Sequence, residues 1–95
     1  MRALPRTGFG WIDRRFVSQG FSLSLSAEAN LLYFFLTAVA DAKGLSYFGD
    51  RATADRLAIT PGEIERARRE LVAQKLVLFR APLYQVLPLP ASPSA

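Results

Sequence analysis

Residues 30–41, which read NLLYFFLTAVAD, constrain the fold of this chain more than any other segment. Polar residues recur only at Asn30, Thr37 and Asp41. In a helix these three fall on one narrow stripe, with Phe34 in its middle. A helix that is apolar over the rest of its circumference lies at the centre of a core or is partly covered by another chain. The sequence therefore predicts a buried central helix whose polar stripe is the only side that tolerates water.

Capping residues mark both ends of this helix. Ser26 is a good N-cap because its hydroxyl accepts a hydrogen bond from a first-turn N–H. Gly44 supplies the left-handed residue that commonly follows a helix, so we expect the helix to run from Ala27 to Lys43. This length is too short to span a bilayer, which needs about 20 apolar residues. No membrane partner is expected.

The composition describes one small domain with a surplus of apolar residues. At 95 residues the chain is long enough for one core but not for two. Hydrophobic residues make up 51% of it, which is more than one small core readily buries. The surplus favours a homodimer or a larger protein assembly.

The missing residue types exclude several kinds of chemistry. The chain has no Cys and no His, which excludes disulfides, Cys/His zinc sites and imidazole acid–base catalysis. No Gly-rich phosphate loop is present, and carboxylate pairs such as Asp50 with Asp55 lie at helix starts. We expect no enzyme activity, metal, cofactor or small-molecule ligand. No secretory signal is visible, so the expected compartment is the cytoplasm.

The positive charge is concentrated near the N-terminus. The net charge is +4, and residues 1–20 contribute four arginines against one aspartate. Residues 46–75 carry six basic residues against five acidic ones. A surplus of this size fits a DNA-binding protein and an ordinary soluble domain equally well.

We divide the chain into three parts. Residues 1–25 are predicted to form an N-terminal arm and packing segment, with a helical turn over 13–20 and extended chain over 21–26, where apolar residues alternate. Residues 26–88 are predicted to form the folded domain. Residues 89–95, rich in Pro, Ser and Ala, are predicted to be a disordered tail.

Local signals in the second half of the chain predict two helices and a small sheet. Residues 45–48 are β-prone, and Asp50 is predicted to cap a helix that ends at Leu57. Thr60 and Glu63 have the spacing of a capping box, and Pro61 occupies the first helical position. The third helix is expected to reach Gln74. Its side facing the core is predicted to consist of Ile64, Ala67, Leu71 and Val72.

Two strand-like runs, residues 76–80 and 83–87, predict a hairpin turned at Ala81-Pro82. The predicted class is therefore mainly α with a small β-sheet, to which residues 45–48 add a third strand. The predicted core consists of Leu32, Phe35, Leu36, Val39, Leu57, Ile64, Leu71, Leu76 and Val86.

This order of elements resembles the winged helix-turn-helix family of small bacterial DNA-binding domains, over residues 44–87. Families of this type often read L-A-x-x-L-G-I-S through their two DNA-proximal helices. Ala58 stands where the family usually has Gly. The residues at matching intervals are Ala54, Leu57, Ile59, Thr60, Ile64, Ala67 and Leu71.

The resemblance implies double-stranded DNA as a partner and the third helix as the recognition helix. Helical spacing then presents Gly62, Arg66, Arg69 and Ala73 on its outward side. Arg66 and Arg69 are placed to bond base edges. Phosphate contacts are expected from the helix start at Thr60 and Gly62 and from Arg51 and Arg80, with Arg14 and Arg15 as possible additions.

The implied function is that of a DNA-binding regulator or accessory factor of transcription, replication or a mobile element. The same helix also permits an alternative. Glu65 with Arg69, and Arg66 with Glu70, form i,i+4 pairs that are common on any solvated helix. The alternative is a protein–protein assembly module on a winged-helix scaffold that does not read DNA sequence.

Overall fold

The computed structural model describes residues 13–90, in which four helices and three short strands follow one another. The strands form one antiparallel sheet in the order β1–β3–β2. The predicted class, mainly helical with a small sheet, is confirmed. The elements are α1 (Arg15–Ser18), a 3₁₀ turn (Ser22–Ser24), α2 (Ala27–Val39), β1 (Leu45–Ser46), α3 (Asp50–Leu57), α4 (Pro61–Ala73), β2 (Val77–Arg80) and β3 (Leu83–Val86).

Helix α2 begins as predicted and ends four residues early. The Ser26 hydroxyl accepts a hydrogen bond from the Ala29 N–H at 3.1 Å. At the other end Ala40 is already extended. The Asp41 carboxylate there accepts hydrogen bonds from the backbone N–H groups of Lys43 and Leu45, at 2.8 and 3.0 Å. These local bonds stabilise a turn instead of another helical turn.

The core lies between α2, α4, the N-terminal segment and the sheet. Five of the predicted core residues are buried, and Phe35, Leu57 and Val86 pack against them from partly buried positions. Val72 was predicted to face inward, but it is 41% exposed because it lies at the edge of the α4 core stripe. The buried apolar residues are Phe16, Phe21, Leu25, Ala29, Leu32, Tyr33, Leu36, Ala54, Ile64, Ala67, Leu71, Leu76, Val77 and Tyr84.

The polar stripe of α2 faces water only in part. Phe34 in its middle is 41% exposed and Asp41 at its end is exposed. Thr37 is buried, and its hydroxyl donates to the Phe34 carbonyl at 2.9 Å. The N-terminal segment packs beside the stripe, where the Asn30 amide donates to the Ser22 carbonyl at 3.0 Å and Phe16 stacks on Tyr33 with ring centroids 4.4 Å apart.

The segment preceding α2 is compact, whereas its alternating pattern predicted extended chain. Phe21 and Leu25 are buried, but Leu23 between them is 90% exposed. A 3₁₀ turn over Ser22–Ser24 rotates the three side chains away from a common side. The Ser24 hydroxyl supports the turn by donating to the Phe21 carbonyl at 2.8 Å.

The connection from α3 to α4 is short and capped as the sequence predicts. Ala58 ends α3 in the left-handed conformation, with φ of 58°. Thr60 and Glu63 form the predicted capping box at the start of α4, with Pro61 in its first turn. At the start of α3 the N-cap is Gly49 and not Asp50. The Asp50 carboxylate instead accepts a hydrogen bond from Arg68 of α4.

The strand β1 joins the hairpin as the predicted third strand, with Leu45 opposite Gln85. Gly44 precedes it with φ of +81°, and a Cβ there would lie 2.8 Å from the Val86 carbonyl oxygen. Only glycine satisfies both conditions. The hairpin connects through a cis Ala81-Pro82 bond.

Candidate nucleic-acid interface

The outward side of α4 carries the residues that the sequence places there. Ile64, Ala67 and Leu71 are fully buried on one side of this helix. The opposite side consists of exposed residues: Gly62, Arg66, Arg69 and Ala73. The amphipathic spacing of α4 therefore directs two arginines, one turn apart, away from the protein.

The two predicted ion pairs on α4 have different outcomes. Arg69 bonds to Glu65, and both side chains are well exposed. The predicted pair of Arg66 with Glu70 is absent because Glu70 is engaged elsewhere. Its carboxylate accepts from the Ser26 N–H at 2.8 Å and from the Ser26 hydroxyl at 2.5 Å. Within residues 13–90, Arg66 therefore has no ion pair.

The start of α4 is capped from within the chain. The Glu63 N–H donates to the Thr60 hydroxyl at 3.1 Å, and the Thr60 N–H donates to the Glu63 carboxylate at 2.9 Å. The bond from the Thr60 backbone holds the pKa of Glu63 below its usual value. The Gly62 position is open, since an added Cβ would meet no atom closer than 3.9 Å. Packing within the chain does not require glycine there.

Arg68 ties α4 to α3 and to the hairpin, a role that the sequence analysis missed. Its Nη1 donates to the Asp50 carboxylate at 2.7 Å and to the Tyr84 hydroxyl at 3.2 Å. Its guanidinium carbon lies 4.3 Å from the centroid of the Phe79 ring. Burial lowers the pKa of Arg68, but its bonds to Tyr84 and Asp50 raise it above the usual value overall.

Arg51 and Arg80 are neighbours in sequence of residues that contact Arg68. Arg51 is exposed and follows Asp50, and Arg80 is exposed and follows Phe79. Because successive side chains of a strand alternate between its faces, Arg80 projects from the face of the hairpin opposite to that of Phe79.

Arg14 and Arg15 belong to a different part of the molecule. They precede Phe16, which packs against α2. The Arg15 guanidinium bonds to the Asp13 carboxylate at 2.9 and 3.1 Å, and this contact holds the pKa of Asp13 below its usual value. Arg14 is exposed. Arg14 and Arg15 thus lie on the N-terminal segment, next to the residue that packs on α2.

A shallow acidic depression borders α4 on the side facing the start of α2. Three carboxylates line it, with Arg66 as the one basic group, so phosphate is repelled from most of this border. No group of metal-ligating side chains occurs among the described residues. The lining residues are Ser26, Glu28, Glu63, Arg66, Ala67 and Glu70.

Comparison of the chain with protein-family models, with curated proteins and with solved structures finds no match. In the part of the chain that the structure describes, no helix is long and apolar enough to cross a membrane.

Proposed function

We propose that this chain is a winged helix-turn-helix protein that binds double-stranded DNA through α4. The observation that carries the proposal is the exposed pair Arg66 and Arg69, on a helix that follows α3 after a short capped turn. The sheet order β1–β3–β2 supports it, since a hairpin then flanks the helix as a wing. The proposed setting is a bacterial cytoplasm, and the proposed role is a regulator or accessory factor of transcription, replication or a mobile element.

In this proposal α4 enters the major groove. Arg66 and Arg69 reach base edges, where an Arg fork bonds the O6 and N7 atoms of guanine. Glu65 gives up its bond to Arg69 when DNA replaces it, and an exposed pair of this kind contributes less than about 1 kcal/mol. Gly62 and Ala73 are small, so the helix can approach the groove closely.

Phosphate contacts position the helix. Arg51 and Arg80 are neighbours in sequence of residues that contact Arg68 and are free of ion pairs among the described residues. At the helix start the dipole favours a phosphate oxygen, but the Glu63 carboxylate already accepts from the Thr60 N–H and repels phosphate there. Arg14 and Arg15 lie on the N-terminal segment and supply additional phosphate contacts only if the duplex extends to it.

Fluorescence anisotropy with a labelled random-sequence duplex tests whether the protein binds DNA at all. We expect binding at low salt that weakens as salt rises, because each phosphate contact releases counterions. Arg51→Ala/Arg80→Ala should reduce the slope of log K against log salt by about 2. Lys43→Ala/Lys75→Ala removes the same charge from exposed positions outside the proposed interface and should leave the slope nearly unchanged.

Gly62→Ala separates a binding role from a folding role. Alanine should stabilise α4 by about 0.5–1 kcal/mol, because glycine is the poorer helix former and the position is open. If DNA lies against this position, the same change weakens binding. A more stable protein with unchanged DNA affinity would remove Gly62 from the interface.

A second candidate function is a protein–protein assembly module on the same scaffold. It is favoured by the exposed apolar side chains near α2, including Phe34 at 41% and Leu23 at 90% exposure. No binding to any duplex at low salt would favour it over DNA binding.

A further inference from the structure

The outward side of α2 is an apolar stripe that the described chain leaves open. Ala27, Leu31, Phe34 and Ala38 follow at spacings of four, three and four, so they share one side of the helix. All four are exposed, and Leu31 and Phe34 are 36% and 41% exposed. A helix side that faces water normally carries polar or charged residues. This stripe, which we call the α2 stripe, instead offers only apolar side chains.

The N-terminal segment extends the α2 stripe on one side. Phe16 packs against Phe34 with ring centroids 6.0 Å apart, and the next residue, Val17, is 65% exposed. The hydrogen bonds between Ser22 and Asn30 hold the 3₁₀ turn beside α2. Leu23 lies within this turn, directly after the residue that bonds to α2, and is 90% exposed.

The exposed apolar area supplies a large part of what one side of a stable dimer needs. The exposed fractions of Val17, Leu23, Leu31 and Phe34 add up to a little more than two whole side chains. Since only an aromatic side chain reaches about 150 Å² and Val and Leu are smaller, these four leave about 300 Å². A standard interface buries about 800 Å² per partner, a little over half of it apolar. The requirement is thus about 450 Å², and Ala27 and Ala38 add to the area.

We propose that the α2 stripe binds a second copy of this chain, with the two α2 helices packed antiparallel across a two-fold axis. A two-fold interface must be self-complementary, so that residue i meets residue j while j meets i. The stripe reads small, large, large, small in both directions. Ala27 then faces the partner's Ala38, and Leu31 faces the partner's Phe34.

Charge favours the antiparallel arrangement over the parallel one. Parallel helices would place two Glu28 carboxylates near each other and align the helix dipoles unfavourably. Antiparallel helices keep the two Glu28 side chains at opposite ends. Each positive helix start then lies near the negative end of the partner's helix.

The dimer interface and the proposed DNA surface lie on different helices. The buried side of α2, which includes Leu32 and Leu36, packs against α4. Arg66 lies nearest to the stripe, because it shares a depression with Ser26 and Glu28 beside Ala27. Self-association can therefore be tested without DNA, and either proposal can fail while the other stands.

Sedimentation equilibrium of the full chain tests the proposal. We expect a monomer–dimer equilibrium with dissociation in the micromolar range. Leu31→Lys should weaken it at least tenfold because it places a charge in the centre of the stripe. Leu78→Lys is the matched control, since Leu78 is 54% exposed on β2, away from α2. Circular dichroism checks that both variants remain folded.

Two results would overturn the proposal. One is a wild-type monomer at every concentration, in which case residues of the same chain or an unlike partner cover the stripe. The other is a dimer that Leu78→Lys dissociates and Leu31→Lys does not, which would place the interface on the sheet.

Cross-linking tests the antiparallel arrangement separately. The chain has no cysteine, so Ala27→Cys and Ala38→Cys each introduce the only thiol. A short bifunctional maleimide should join the two variants when they are mixed. It should not join either variant to itself, because like positions are separated by roughly 16 Å along the helix axis. Efficient self-linking of Ala27→Cys would contradict the antiparallel packing.

Discussion

Arg68 holds the hairpin against α3 and α4, and we expect Arg68→Ala to destabilise the fold by about 2–4 kcal/mol. Its side chain is only 15% exposed and makes three different contacts. It bonds to Asp50 at 2.7 Å and to the Tyr84 hydroxyl at 3.2 Å, and it stacks on Phe79 at 4.3 Å.

The magnitude follows from these contacts taken separately. The Asp50 pair contributes no more than about 1 kcal/mol, because the Asp50 side chain is 38% exposed and solvent screens the charge. The stacking on Phe79 contributes about 0.5–2 kcal/mol. The Tyr84 hydroxyl, on a residue 1% exposed, loses its partner at a cost of about 1–3 kcal/mol. These effects overlap, so their sum is an upper bound.

Urea unfolding followed by circular dichroism measures the change, with Arg69→Ala as the matched control. Arg69 is on the same helix but 73% exposed, and we expect its removal to cost less than about 0.5 kcal/mol. Tyr84→Phe removes only the hydroxyl. In the Tyr84→Phe background Arg68→Ala should therefore cost less than in the wild type.

Equal, small losses for Arg68→Ala and Arg69→Ala would refute this reasoning. Arg68 would then be an ordinary surface arginine, and the hairpin would be positioned by apolar packing alone. Arg68→Lys distinguishes charge from shape, because lysine keeps the charge but lacks the planar fork that stacks on Phe79. We expect it to recover less than half of the loss.

Two further predictions concern the turn before α4 and its cap. Ala58→Gly should stabilise the protein by about 0.5–1 kcal/mol in urea unfolding, because the backbone of Ala58 is left-handed. The control Ala52→Gly, within α3, should destabilise the protein by about 1 kcal/mol. Stabilisation by both variants, or by neither, would contradict the assigned turn. The Thr60 backbone bond holds the pKa of Glu63 below its ordinary value, so its stabilisation is complete above the unfolded-state pKa and is lost as pH falls through the folded-state pKa. Thermal melts should therefore show a weaker acid dependence for Glu63→Gln than for the wild type, and identical pH profiles would exclude this contribution.

Elements defined by short-range chemistry were predictable from the sequence. The Thr60–Glu63 capping box and the Ser26 cap each depend on residues three apart, and both form as predicted. The hairpin and its third strand follow from short apolar runs between turn residues. In these places, local preference and tertiary structure agree.

The surroundings of α2 were not predictable in the same way. Asn30 and Thr37 are polar, yet they are satisfied by Ser22 and by the helix's own Phe34 carbonyl. Those partners let the N-terminal segment pack beside the polar stripe, while Phe34 in its middle stays exposed together with the rest of the apolar α2 stripe. Periodicity identifies a stripe but does not show which segment satisfies its hydrogen bonds.

The candidate site also contains contacts that local sequence patterns predict and contacts that they do not. The outward position of Arg66 and Arg69 follows from helical spacing alone, and the structure has both exposed. The engagement of Glu70 by Ser26 joins residues 44 positions apart, which no local pattern indicates. One sequence feature indicated the role of Arg68, namely its position four residues after Ile64 at the edge of the core stripe. A long side chain there can bury its stem while its head finds partners.

The most direct test of DNA reading by α4 is the affinity of Arg66→Ala/Arg69→Ala for two duplexes. One duplex is selected from a random pool by the wild-type protein, and the other has random sequence. We expect the double variant to lose about 1–3 kcal/mol per arginine on the selected duplex and much less on the random one. Lys43→Ala/Lys75→Ala should preserve the preference. Unchanged affinity of the Arg66→Ala/Arg69→Ala variant for the selected duplex would remove α4 from the DNA interface.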